Sequence, residues 1–313
     1  MTDPAILCCG EAVLDLVPAP LADGGAGLRP VPGGAALNTA IALARQGIAT
    51  GFLGALSTDP AGAELAAALT AEGVDIGLAT RPDRPSPIAL ATPLPDGTRF
   101  DLYDTGSAGA VFSAADLPAA LPSGTVALVF GGISLITPPA ADAFETLARH
   151  AATTDRLIWL DLNIRPGLVR DPEAYRARLR RMVALADVVK VSDEDLAWLG
   201  DGALEALRDA APMLLHTRGA AGAVVWRGLE VFVMPAPPVD KLADTVGAGD
   251  IFAAGTLAHL ARAGHLAKPL TPPEDALRAA VAHGIRAATL SVARPGADAP
   301  TWQEIEKEAK CAH

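Results

Sequence analysis

Asp244-Thr245-Val246-Gly247-Ala248-Gly249-Asp250 runs straight into the apolar stretch Ile251-Phe252-Ala253-Ala254-Gly255. Small residues just before a helix let the backbone come close to a ligand. The first helical turn leaves N–H groups without acceptors, and these attract an anion such as a phosphoryl group in transfer. The carboxylate that closes the run has two readings: an ordinary cap drawn there by the helix dipole, or a catalytic group beside a bound anion. Two further places could do chemistry. Asn163 and Arg165 follow an apparent strand, where open α/β sheets hold ligands, and Arg165 suits a phosphate or a sugar oxygen as well as a structural ion pair. Asp15 lies in an apolar run, Ile6 to Val17, that Gly10 and Glu11 interrupt, as if a buried strand emerged into a polar site.

Such residues need elements to position them. Gly33-Gly34-Ala35-Ala36-Leu37-Asn38 leads into an Ala/Leu helix that ends at Gly47, and Pro60 to Gly73 reads as a second helix. Ile88 to Tyr103 predicts two strands around the turn Asp96-Gly97, a lid-like hairpin. From Thr125 the pattern alternates: strand Val126 to Phe130, helix Pro138 to Ala152, strand Leu157 to Leu162, helix Pro172 to Ala186, strand Val188 to Val191. Such βαβ repetition predicts a parallel sheet. Met213 to Thr217, Ala223 to Trp226 and Val231 to Val233 add strands; Gly247 to Ala263 and Pro273 to Val292 read as apolar helices, with a last helix after Pro300.

The chain has 313 residues, half of them hydrophobic, enough for one large domain with a sizeable core; no linker divides it, so residues 1–313 read as one α/β domain with a small strand-built lid. A net charge of −11 and the lack of a Lys/Arg block argue against nucleic acid as a partner. Three cysteines, Cys8, Cys9 and Cys311, give neither a disulfide framework nor metal-ligand spacing, and no run is long enough to span a membrane, so a cytoplasmic protein is expected. No strand leads into Gly-x-Gly-x-x-Gly with an acidic partner downstream, which argues against a dehydrogenase.

Asp244 to Asp250 resembles the C-terminal signature of the ribokinase-like, or PfkB, carbohydrate kinases, and Gly33 to Ala40 resembles their N-terminal one. The similarity continues through Gly10-Glu11, Asp161 to Pro166, Lys190 to Asp195, Thr217-Arg218-Gly219 and Arg294 to Ala297. The resemblance implies a three-layer α/β/α domain with a central, mostly parallel sheet, and lid strands from about residues 12–33 and 86–108. It implies that Asp250 takes the proton from the accepting hydroxyl while the N–H groups of Gly247, Ala248 and Gly249 hold the charge on the transferring group. That chemistry needs alignment and charge stabilisation and no P-loop lysine. It further implies that Asp15, Gly33, Gly34, Asn38 and Arg165 hold the sugar. Seen alone, Asp15 would be a strand-end charge and Asn38 a helix cap.

Ser192, Thr217, Gly219 and Gly222 match the family's nucleotide-side positions, with Asp195 acting on the water shell of Mg2+ carried by ATP. Where the family more usually has Asn and then Glu three residues on, this chain has Ser192 and Asp195, and the shorter carboxylate calls for a bridging water. Gly284-Ile285 stand where the family often has an Asn near the adenine. Asp244, Thr245 and the segment Ser291 to Gly296 resemble loops that bind a monovalent cation, often K+.

Within the family, Gly10 to Leu16, Gly131 to Leu135 and Lys190 to Leu196 look most like bacterial fructokinases, which implies fructose 6-phosphate as product. The rivals are a 2-keto-3-deoxygluconate kinase or another sugar or nucleoside kinase, with the choice set by lid contacts around Leu94 to Ser107. A non-catalytic sugar-binding regulator on the same fold is the reading from a different class. Apolar lid positions Ile88, Leu90 and Leu102 need cover from substrate, the main domain or a second subunit, so a homodimer is expected.

Overall fold

The computed structural model describes residues 3, 5–21, 24–94 and 97–311; the expected turn residue Asp96, and Asp23 before the lid's second strand, lie outside them. The first half of the chain builds β1 (Ile6–Cys9), β2 (Val13–Pro20), β3 (Ala26–Gly33), α1 (Ala35–Arg45), β4 (Thr50–Leu53), α2 (Pro60–Ala71), β5 (Ile88–Leu94), β6 (Gly97–Tyr103), α3 (Ala108–Val111), β7 (Ala127–Gly131) and α4 (Ala140–Ala152). The second half builds β8 (Leu157–Asp161), α5 (Pro172–Leu185), β9 (Val188–Ser192), α6 (Asp193–Leu199), α7 (Ala203–Ala210), β10 (Met213–Thr217), β11 (Ala223–Arg227), β12 (Glu230–Met234), α8 (Ala248–Arg262), α9 (Glu274–Val292) and α10 (Trp302–Cys311).

The main sheet has eight strands in the order β12-β11-β10-β9-β8-β7-β1-β4, parallel from β4 to β10 and antiparallel across β11 and β12. Its inner strands are apolar on both sides, as a sheet covered on two faces requires. The two-residue period divides them. Ile6, Cys8, Val129, Leu157 and Trp159 face a layer containing α1, α2, α8, α9 and α10. Leu7, Cys9, Phe130, Ile158 and Leu160 face a layer containing α4, α5 and α7. The result is the expected three-layer α/β/α architecture.

The lid is a separate four-stranded sheet, β3-β2-β5-β6. Asp15 on β2 pairs in register with Ala89 on β5, which pairs with Leu102 on β6, so these three share one lid face. Ile88 and Leu90 lie on the other face. The Gly/Pro-rich stretch before Gly33 forms strand β3, whose prolines sit on a sheet edge where a missing N–H is tolerated.

Helices α8 and α9 touch backbone to backbone at Gly255 and Gly284. A Cβ added to Gly284 would lie 2.3 Å from the Thr256 hydroxyl and 2.6 Å from the Phe252 carbonyl. Gly284 and Ile285 are therefore packing residues of the α8–α9 contact, and this contact fixes where α8 begins.

Candidate active site

The N-terminus of α8 meets the carboxyl edge of the main sheet. Gly247 caps it with φ 74°, in the left-handed region, and an added Cβ would lie 2.5 Å from the Ala297 Cβ, so conformation and space both demand glycine. Ile251 N–H donates to the Gly247 carbonyl at 2.9 Å, and Ala248 N–H makes a longer bond, 3.3 Å, to the Thr245 carbonyl. The N–H groups of Gly247, Gly249 and Asp250 reach no acceptor among the described residues. The turn therefore offers the N–H groups of Gly247 and Gly249 to an anion, while Ala248 is already partly engaged.

Asp250 is 7% exposed. Its Oδ2 accepts from Asn38 Nδ2 of α1 at 2.9 Å, and its Oδ1 accepts from Asn163 Nδ2 at 3.3 Å. Asn163 adopts φ 41°, a left-handed conformation that asparagine tolerates better than most residues. Burial, followed by the nearby Asp161 carboxylate, pushes the Asp250 carboxyl up to about 7, against the lowering influence of Asn38, Arg165 and Lys190. A carboxyl poised there takes up a proton near neutral pH, which is what a general base for a hydroxyl requires.

In front of Asp250 lies a cleft of about 630 Å3. One wall is the α8 turn with Asn38, Asn163 and Arg165, and the other is the lid face bearing Val13, Asp15, Ala89, Phe100 and Leu102. A second chamber of about 360 Å3 continues past Asp15, Asn38, Phe100 and Val246. Burial pushes the Asp15 carboxyl up to about 7. A Cβ on Gly33 would lie 2.3 Å from the Asp15 carboxylate, so Gly33 makes room for that side chain. Gly34, with φ 103°, passes so close to the Glu11 carbonyl that a Cβ would be 2.8 Å from it. Arg165 is exposed at the rim and, among the described residues, donates only to the Ile164 carbonyl, at 3.3 Å, which leaves most of its fork available to a ligand.

The remaining expected residues stand farther along the same edge. Ser192 and Thr217 are neighbours in register at the ends of β9 and β10. Gly219 and Gly222, with φ 50° and 85°, shape the turn into β11. None of these four lines the 630 Å3 cleft. Asp195 is 2% exposed; its Oδ1 accepts from Ile164 N–H at 2.7 Å and its Oδ2 from Ser192 N–H at 2.8 Å, closing a capping box at the start of α6. The adjacent Glu194, unlike Asp195, faces the cleft. Asp244 accepts from Val246 N–H and Gly296 N–H, each at 3.0 Å, and so ties the loop before α8 to the loop after α9.

Four further residues, Glu11, Phe100, Asp161 and Lys190, receive no role from the sequence, although three of them lie in segments that resemble the family. Glu11 accepts from Ala35 N–H at 3.0 Å and from the Ser134 hydroxyl, and it anchors the start of α1. Phe100 is an alternating apolar residue on a lid strand, with nothing to mark which face it takes. Lys190 and Asp161 form a buried ion pair, and the signal was a charged residue inside the apolar run Val188-Val189-Lys190-Val191.

The profile for pfkB family carbohydrate kinases matches residues 3–304, and the chain belongs to that family. Its fold is accordingly the ribokinase-like one. A fructokinase of Rhizobium leguminosarum bv. trifolii is 42% identical over 261 residues, covering 82% of this chain and 79% of that protein. The crystal structure of a Xylella fastidiosa fructokinase with bound ATP superposes with a TM-score of 0.88 at 26% identity, covering 98% of each chain. A Vibrio cholerae fructokinase, solved with fructose, ADP and calcium, gives 0.84 at 26% identity over 96% of this chain and 97% of that one.

Proposed function

We propose that this protein is an ATP-dependent fructokinase that phosphorylates the 6-hydroxyl of D-fructose. The observation that carries the reading is Asp250, buried and held by two asparagine amides, beside free N–H groups at a helix terminus that faces a lidded cleft. Asp250 takes the hydroxyl proton as the sugar oxygen bonds to the γ-phosphorus. The bond from that phosphorus to the β,γ-bridging oxygen breaks, and ADP leaves. The N–H groups of Gly247 and Gly249 hold the charge on the phosphoryl oxygens. Asp15, Asn38 and Arg165 orient the sugar, with Gly33 and Gly34 giving it space. Ser192, Thr217, Gly219 and Gly222 flank the nucleotide. The fructokinases among its relatives, one of them solved with fructose and ADP, support fructose as the acceptor.

The donor set fits magnesium that arrives on the nucleotide. Glu194 faces the cleft with Asp195 just beneath it, and no cluster of three ligating side chains occurs among the described residues. Bound there, the ion would neutralise phosphate charge, with Glu194 meeting its water shell and Asp195, whose oxygens accept from Ile164 and Ser192 N–H, holding the loop and helix start beside it. Potassium would sit by Asp244 and Thr245, where one carboxylate already joins the two loops; exchanging K+ for a larger organic cation is expected to lower kcat. No helix among the described residues is long and apolar enough to cross a membrane. The outer lid face, with Leu28 and Tyr103 exposed beside half-buried Ile88 and Leu90, supports a homodimer formed lid to lid.

ATP-dependent phosphorylation of a panel containing fructose, glucose, ribose, 2-keto-3-deoxygluconate and a nucleoside tests the proposal. Fructose is expected to give the highest kcat/KM. Preference for another member overturns the substrate, and turnover of none supports the non-catalytic regulator instead.

A further inference from the structure

Strands β8 and β9 run parallel with Asp161 opposite Lys190. The two-residue period places both on the face that carries Trp159 and Val188, under α8, where apolar residues are the rule. Lys190 is 3% exposed and Asp161 5%, and Lys190 Nζ donates to Asp161 Oδ1 at 2.9 Å. Well-packed hydrophobic residues would serve stability at least as well as a buried ion pair here. The location of the pair argues for another purpose. A Cβ on Gly249 would lie 2.9 Å from Lys190 Nζ, so the ammonium rests against the inner side of the anion-hole turn. Unlike Gly247, Gly249 does not have a positive φ, so backbone conformation gives no reason for glycine there, whereas the lysine does.

We infer that Lys190, locked by Asp161, is a positioning residue for phosphoryl transfer: it supports the Gly247–Asp250 turn from behind and, with Asp161, sets the balance of buried charge around the base. The inference rests on the kinase reading above. The charged and titratable groups facing Asp250 come from several elements: Asp161 on β8, Arg165 beyond it, Lys190 on β9 and the Cys8 thiol on β1, with the neutral amides of Asn38 and Asn163 completing the shell and Asp195 on α6 acting on Lys190 and Asp161. Burial pulls the Lys190 ammonium down, but Asp161, Asp195 and Asp250 outweigh it and hold the group above its ordinary value. Lys190 is therefore a standing positive charge that favours ionised Asp250, and Asp161 is the carboxylate that opposes it.

The two partners of the pair must then move Asp250 in opposite directions, and a loss of kcat that persists where stability is kept separates this role from a merely structural one. In protein labelled with 13C at aspartate carboxyls, Asp250 is the resonance absent from Asp250→Asn. Its titration midpoint is expected to rise by about one pH unit in Lys190→Met and to fall in Asp161→Asn. In Lys190→Met, kcat falls about 10²-fold while KM for sugar and ATP stays within about threefold. Should either single variant fail to fold, Lys190→Met/Asp161→Leu restores a neutral interior; it is expected to melt no lower than the wild type and still to lack most of kcat. An unmoved midpoint, shifts of the same sign in the two singles, or wild-type kcat in the double variant overturns the inference. Failure of the wild type to phosphorylate any sugar would defeat the functional reading separately, and the titration would still decide this one.

Discussion

The two walls of the cleft are built on different principles. The main-domain wall is buried and cross-tied: Asp250 is held from α1 and from the loop after β8, and a lysine–aspartate pair lies beneath its turn. The lid wall is a thin sheet whose cleft-facing residues, Asp15, Phe100 and Leu102, project from strands with no helix of their own. A fixed wall suits charge stabilisation, which works only if the dipoles do not reorganise. A wall on a separate sheet suits recognition and exclusion of water. The contrast predicts that changes in the first wall lower kcat and changes in the second raise KM.

The largest effect is expected from Asp250→Asn, with kcat down about 10³-fold and sugar KM nearly unchanged in steady-state assays. The same substitution sharpens the contrast through stability. The folded Asp250 carboxyl titrates at about 7, above an ordinary unfolded value of about 3.9. Between those limits the native state holds a proton that the unfolded chain releases, so this group's contribution to wild-type stability falls as pH rises from about 4 to 7. Urea titrations at pH 4.5 and pH 8 should show wild type losing ground to Asp250→Asn at the higher pH.

Gly247→Ala comes next. Its Cβ collides with Ala297 and its φ is unfavourable, so the anion hole distorts and kcat falls about 10²-fold, with a lower melting temperature. On the lid, Asp15→Ala should raise sugar KM about 30-fold and leave kcat within about threefold. In the wild type, sugar KM should climb as pH drops below about 7 and Asp15 takes up a proton. A large kcat loss in Asp15→Ala would break the division between the walls. The smallest effect on activity is expected from Tyr103→Asp on the outer lid face, which should turn a dimer into a monomer by light scattering while sugar KM changes about twofold.

Much of the first wall is legible in sequence because glycine and aspartate before an apolar helix mean something locally. The anion-hole run, the helix it opens and the parallel strands behind it all follow from short-range pattern. Lys190 and Asp161 show where that legibility ends: one appears as a charge inside an apolar strand and the other as a charge at a strand end, and only the register of β8 and β9 reveals that they meet beneath Gly249. Asp195 shows a related gap, since residue type suggests a ligand for water and metal while the fold gives both its oxygens to backbone N–H groups. The short helices α6 and α7 and strand β4 lack a long periodic signal, and tertiary packing decides them. The stretch before Gly33 is Gly/Pro-rich and carries no strand pattern of its own; the family resemblance implies a lid strand there, and β2 pairs with it residue for residue.

The central claim is that a buried carboxyl on the fixed wall is the base, and the pH dependence of kcat with saturating fructose and ATP tests it most directly. Wild type should lose activity tenfold per pH unit below a midpoint near 7, and Asp250→Asn should show about 10³-fold lower kcat with that limb gone. An Asp250→Asn enzyme within tenfold of wild type, with the same acidic limb, would contradict the account.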